Sequence, residues 1–170
     1  MSAPRRWFFV YPLLVLLACT AGASETAEDV GARNTELARS GYDAFARGDV
    51  PVVLGLMSPE IIWHEAESLP YGGIHRGPDA VLQNVFMGLG RDWQPFAATP
   101  KQYIPAGDHV VVLGEYSGTN RVSGRAFVAP FAHIWRFENG RLVEFRQLTD
   151  TAKWLEAIDA VPEAPAPAAK

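Results

Sequence analysis

Residues 126–150, AFVAPFAHIWRFENGRLVEFRQLTD, decide the fold. Odd positions from 127 to 137 carry Phe127, Phe131, His133, Trp135 and Phe137, while the even positions carry Val128, Ala132, Ile134 and Arg136. A period of two predicts a strand with one aromatic face. Asn139-Gly140 follows, and both residues tolerate the positive φ that a tight hairpin turn needs, so Arg141 to Thr149 is expected to return alongside. The return strand is mixed on both faces, with Val143, Phe145, Gln147 and Thr149 on one and Leu142, Glu144, Arg146 and Leu148 on the other. A single imidazole, His133, therefore stands among aromatic rings, and a buried polar group in such a place needs a hydrogen-bonding partner.

Working outward towards the N-terminus, Val30, Leu37, Ala38, Tyr42, Phe45 and Ala46 fall at helical spacing and predict a helix from about Thr26 to Arg47. Gly48-Asp49 ends it, and Asp49 with Pro51 opens a short second helix to about Met57. Ile61 to Glu67 reads as a strand, with Trp63, Glu65 and Glu67 on one face and Ile62 and His64 on the other. Leu69 to Gly77 reads as a loop. Pro78-Asp79 starts a third helix with the apolar stripe Val81, Leu82, Val85, Phe86 and Leu89. Prolines demote Pro95 to Ile104 to an edge strand, whereas His109 to Ser117 is a strong one, joined to the central hairpin by Gly118 to Gly124. Asp150 is expected to cap a last helix to Ala160, with Trp154, Leu155 and Ile158 facing inward. Helices gathered before a run of strands predict an α+β domain, a curved antiparallel sheet with three to four helices closing one face into a cone, a cystatin-like roll. The aromatic face would line the mouth of that cone, where small ligands usually bind, although the same aromatics would equally fill a packed core.

At 170 residues, 48% hydrophobic and 20% charged, the chain is expected to hold one domain over 26–160. The basic start MSAPRR, the apolar run from Trp7 to Ala18 and the small residues Ala21-Gly22-Ala23 predict an export signal over 1–23. The run is shorter than the roughly 20 residues a bilayer-spanning helix needs. Cys19 is the only cysteine, and Leu16-Leu17-Ala18-Cys19 resembles a bacterial lipobox. Two fates compete: a periplasmic or secreted protein cleaved after Ala23, or one held at a membrane only through a lipid on Cys19. Losing Arg5 and Arg6 leaves 13 basic against 19 acidic residues, a net charge of minus six, which argues against nucleic acid as a partner. His64, His75, His109 and His133 follow no ligand spacing, so neither metal nor cofactor is expected. The apolar outer face at Val128, Ala132 and Ile134 points to a homodimer, and the Ala/Pro-rich residues 161–170 to a solvated tail.

Tyr42-Asp43-Ala44-Phe45 before Gly48-Asp49, Ile62-Trp63-His64, Arg76-Gly77-Pro78-Asp79-Ala80-Val81 and Pro130-Phe131-Ala132-His133-Ile134-Trp135-Arg136-Phe137 occur in that order. The chain thereby resembles the SnoaL-like and ketosteroid-isomerase-like branch of the nuclear-transport-factor-two-like superfamily, over roughly Thr35 to Leu155. That scaffold carries isomerases, cyclases, hydrolases, dehydratases and pure binding proteins, so the resemblance implies a fold and a pocket rather than one activity. Matching Gly48-Asp49 implies Glu65 as the general base, and matching Trp135-Arg136-Phe137 puts the isomerases' oxyanion-binding acid at His133. Their oxyanion tyrosine falls at Gly41, one residue from Tyr42 and on a different helix face. Two of the three isomerase identities are thus changed, which argues against steroid isomerisation in the strict sense.

The expected catalytic pair is Glu65 and His133. Trp63, Tyr42, Phe86, Phe131, Trp135, Phe145 and Gln147 are the expected substrate-binding residues. Beside Trp63 on an inward face, Glu65 would be desolvated and its pKa raised towards that of a working base, whereas at the surface it would be ordinary or paired with Arg76. The expected function is an exported domain that binds a small apolar molecule, with acid–base chemistry on a carbonyl compound; a non-catalytic apolar-ligand-binding protein is the alternative.

Overall fold

Helix α1 (Ala27–Ala46) starts where Thr26 Oγ1 accepts from the Asp29 amide and the Asp29 carboxylate accepts from the Thr26 amide, a reciprocal cap. It stops at Gly48, whose φ of 71° suits glycine. In α2 (Val50–Leu56) the Asp49 carboxylate accepts from the Val52 amide, and Pro51 sits in the first turn. The computed structural model describes residues 26–159. The expected leader at 1–23, with Cys19, and the tail at 161–170 lie outside them.

After α2 come β1 (Met57–Glu65), β2 (Gly73–Arg76), α3 (Pro78–Val81), a π-helical turn (Leu82–Phe86), α4 (Met87–Asp92), β3 (Trp93–Ala106), β4 (His109–Asn120), β5 (Ala126–Glu138), β6 (Arg141–Thr149) and α5 (Thr151–Ile158). The six strands form one curved, unclosed sheet in the order β2-β1-β6-β5-β4-β3. Neighbours are antiparallel except β1 and β6, which run parallel. β3 lies at an edge, and its register with β4 shifts near Pro95 and Pro100. The architecture is the expected α+β one.

Several local expectations need correction. The span expected to be a loop contains β2, which pairs Arg76 with Ile62 and Gly73 with Glu65. As an outermost strand with alternate residues exposed, it carries almost no apolar signal. β1 ends at Glu65 rather than Glu67, because the next backbone amide, that of Ala66, donates to Gln147 Oε1 (3.2 Å) instead of continuing a ladder. It also begins earlier, at Met57. The third helix is interrupted by the π turn, a feature that often marks functional sites. In α5 the buried residues are Trp154 and Ala157, while Leu155 and Ile158 are half-buried. Asp150 occupies the cap position, but its side chain caps nothing.

The hairpin turn has φ of 50° at Asn139 and 73° at Gly140, as its sequence predicts. The inward row of β5 is buried from Phe127 to Phe137. On β6 the mixed faces have a structural cause: Phe137 pairs with Leu142 and Trp135 with Phe145, with a register shift between them. Three steps along β6 oppose two along β5, a bulge that turns Leu142 and Phe145 both inward. Trp154 closes the far end of the core, its ring 4.5 Å from that of Phe127 and 5.4 Å from that of Trp93.

Candidate functional site

Between the sheet and the helices lies a cavity of about 60 Å³. One water needs roughly 10–15 Å³ of such space, so a few waters or a small molecule fit. Val85, Phe86 and Leu89 line it from the π turn and α4, Gly41, Tyr42 and Phe45 from α1. Phe45, Phe86 and Phe96 are partly exposed and sit at one side, with the Phe45 ring 5.7 Å from Phe86 and 6.3 Å from Phe96. The sheet contributes Trp63, Trp135 and Phe145, and four polar groups among these apolar walls: Glu65, Tyr116, His133 and Gln147.

Glu65 is the last residue of β1 and is 7% exposed. Alternation along the strand puts it on the face of Trp63, whose indole Nε1–H donates to Glu65 Oε1 at 2.7 Å. No lysine or arginine lines the cavity, and the burial of Glu65 rules out the alternative of an ordinary surface carboxylate. Burial pushes the Glu65 carboxyl up to about 8, and the indole bond lowers it only in part. At neutral pH the carboxyl therefore holds its proton. His64 points to the outer face, 3.4 Å from Glu144, so the adjacent histidine and glutamate serve different sides of the sheet.

On the strands beside Glu65, Gln147 stands opposite His133, and a chain of hydrogen bonds runs through them. Tyr42 Oη lies 2.6 Å from His133 Nδ1, and Tyr116 Oη lies 2.6 Å from His133 Nε2. Gln147 Nε2 donates to Tyr116 Oη at 2.9 Å, and Trp135 Nε1 donates to Tyr42 Oη at 3.3 Å. Burial pushes the imidazole down to about 3, so His133 is neutral. Burial likewise raises both tyrosines well above the ordinary phenol value. The role expected for His133 is corrected by this geometry: with both ring nitrogens occupied by tyrosine hydroxyls, the imidazole has none free to meet a ligand oxygen. It holds the hydroxyls in place instead.

Phe131 is also displaced from its expected role. Its ring stacks on His133 at 3.9 Å and 10° and lies over Gly114, where a Cβ would come within 2.4 Å of Phe131 Cζ. It therefore backs the imidazole instead of lining the cavity. The other expected residues, Trp63, Tyr42, Phe86, Trp135, Phe145 and Gln147, do line it. Tyr116 was not anticipated, although Val110, Val112, Gly114 and Tyr116 alternate towards one face of β4 and that alternation was legible. Among the described residues no cluster of histidine, cysteine, aspartate or glutamate could hold a metal ion.

A sequence profile of the SnoaL-like domain matches residues 38–145, well over half of the chain. The chain belongs to the SnoaL-like family. This SnoaL-like domain is 34% identical to an NTF2-like protein from Burkholderia thailandensis, over 74% of this chain and 96% of that one, with a TM-score of 0.72. It is 36% identical to an NTF2-like protein of unknown function from Burkholderia pseudomallei, over 75% of this chain and 98% of that one, with a TM-score of 0.69. TerC, solved with polyporic acid, shares the fold at 23% identity and a TM-score of 0.69, over 75% of this chain and 99% of that one. No curated protein matches the sequence.

Proposed function

We propose that this SnoaL-like domain binds a small apolar carbonyl compound in the cavity and moves a proton on it with Glu65. The observation that carries the reading is a buried carboxyl without a counter-cation, bonded only by the Trp63 indole, in the same apolar cavity as a hydroxyl–imidazole–hydroxyl chain. TerC, on the same scaffold, was co-crystallised with polyporic acid, which supports the reading that the fold holds a small ligand. The ionised carboxylate takes a proton from the carbon next to the carbonyl. The electron pair of that C–H bond moves onto the oxygen, which a hydroxyl of the network stabilises, and the protonated carboxyl returns its proton to a carbon of the same molecule. With the carboxyl at about 8, roughly a tenth of the molecules hold the base form at pH 7, so turnover rises with pH until about 8.

Solvent deuterium exchange into a panel of cyclic ketones, followed by proton NMR, tests the chemistry. Glu65→Gln is expected to abolish exchange while leaving ligand binding in place. Exchange that survives Glu65→Gln unchanged removes Glu65 as the base. Binding without exchange of any ketone replaces the enzyme by an apolar-ligand-binding protein. We propose further that the protein works after export, as a Cys19-anchored lipoprotein or cleaved after Ala23; mass spectrometry of the mature N-terminus separates the two, and an intact Met1 in a soluble cytoplasmic fraction removes both. A homodimer through the outer sheet face is proposed from the exposed Val128, Leu148 and Leu113, and sedimentation showing only monomer at micromolar concentration excludes it.

A further inference from the structure

Counting hydrogens in the buried network leads beyond the identity of its members. Gln147 has its direction fixed, because Oε1 accepts from the Ala66 amide and Nε2 must therefore be the group that faces Tyr116 Oη. The Trp135 indole has only an N–H and can only donate to Tyr42 Oη. Each tyrosine oxygen thus receives one hydrogen bond from outside the chain, and each keeps its own hydroxyl hydrogen to place. Between them stands one neutral imidazole with a single N–H and a single bare nitrogen. Only one of the two hydroxyls can donate to the bare nitrogen. The other accepts from the imidazole N–H as well as from its outer donor, and its own hydrogen has no acceptor in the network.

We propose that Tyr42, His133 and Tyr116 form a two-way relay that offers the cavity one spare hydroxyl hydrogen, delivered from Tyr116 or from Tyr42 according to which imidazole nitrogen carries the proton. Shifting the imidazole proton from one nitrogen to the other, with a compensating turn of the two hydroxyls, moves the donor from one tyrosine to the other without moving a heavy atom. The inference rests on the small-molecule reading above and narrows it. A ligand beside these hydroxyls must bring one hydrogen-bond acceptor, such as a carbonyl oxygen, and its position selects the tautomer. Tyr116 thereby becomes a second ligand-facing donor, and Gln147 and His133 are positioning residues, the former tying Tyr116 to the end of β1 beside Glu65.

The relay makes a prediction that needs no ligand. An unpartnered buried N–H is rarer and costlier than an unpartnered acceptor, so the imidazole should carry its hydrogen on the nitrogen that still has a tyrosine. Nitrogen-15 NMR of labelled His133 should therefore find Nε2–H in Tyr42→Phe and Nδ1–H in Tyr116→Phe. With cyclohexanone as probe, each single variant should bind within about threefold of the unaltered protein, because either tyrosine can supply the spare hydrogen. The double variant Tyr42→Phe/Tyr116→Phe should bind about five- to tenfold more weakly. The same tautomer in both single variants, a doubly protonated ring at pH 7, or a double variant that binds as tightly as the unaltered protein would overturn the relay. Opposed tautomers in a protein that takes up no cyclohexanone would uphold the relay and remove the ligand reading beneath it.

Discussion

Two strands of the sheet bring to the cavity buried ionisable groups that solve the same problem in opposite ways. On β1, Glu65 has a single partner, the Trp63 indole, and burial leaves it carrying a proton up to about pH 8. On β5, His133 has a hydroxyl on each ring nitrogen and an aromatic ring stacked on its face, and burial keeps a second proton off it down to about pH 3. Both are neutral at pH 7. The carboxyl is underbonded and loaded with a transferable proton, which suits a group that does chemistry. The imidazole is saturated, which suits one that holds others still. Similar burial therefore does not mean similar role, and the number of satisfied hydrogen-bonding positions distinguishes the two.

The largest expected effect comes from breaking the saturated group. His133→Ala removes a packed ring and leaves two buried tyrosine hydroxyls short of a partner, so urea denaturation should show a loss of about 3–5 kcal/mol. A loss below about 1 kcal/mol would mean that the network is not holding the fold as described.

The next effect distinguishes the two groups by pH. The Glu65 carboxyl lies above its ordinary value of 4.5, so the folded protein keeps a proton that the unfolded chain releases, and stability falls as pH rises from about 4.5 to about 8. The His133 imidazole lies below 6.5, so the unfolded chain takes up a proton that the folded protein refuses, and stability falls as pH drops from about 6.5 to about 3. From these two groups stability should be flat between about 4.5 and 6.5 and decline on either side. Glu65→Gln should remove the alkaline decline and turn the plateau into a climb up to about pH 6.5, gaining on the order of a few kcal/mol over the unaltered protein at pH 9 and little at pH 4. Urea midpoints across the range read both limbs.

The smallest effect lies on the outer face of the same sheet. There Glu144 meets Arg136, Arg146 and His64 at 3.4 Å each, in side chains that keep part of their solvent exposure. Glu144→Gln should change stability by no more than about 1 kcal/mol, and less in high salt. A larger loss would show that the outer charges matter as much as the inner ones.

How much of this was legible depends on how local its cause is. The central hairpin was readable because Asn139-Gly140 fixes the turn and the aromatic alternation of β5 fixes which face is buried. Glu65 was placed inward by its alternation with Trp63. The parallel pairing of β1 with β6, the short edge strand β2 and the bulge that turns Leu142 and Phe145 to the same side arise from long-range register, which no window of sequence contains. The hydrogen bonds of His133 were hidden for the same reason. Tyr42 is 91 positions away along the chain and Tyr116 is 17, and the missing side chain at Gly114 that makes room for Phe131 behind the imidazole shows its purpose only in three dimensions.

The contrast between the two groups rests on the protonation of Glu65, and an infrared titration of protein with isotope-labelled glutamate reads it directly. The expected result is a protonated carboxyl band at pH 6 to 7 that fades with a midpoint near 8 and is missing from Glu65→Gln. A spectrum in which every carboxyl is ionised by pH 6, or a band untouched by Glu65→Gln, would contradict a buried, proton-loaded Glu65.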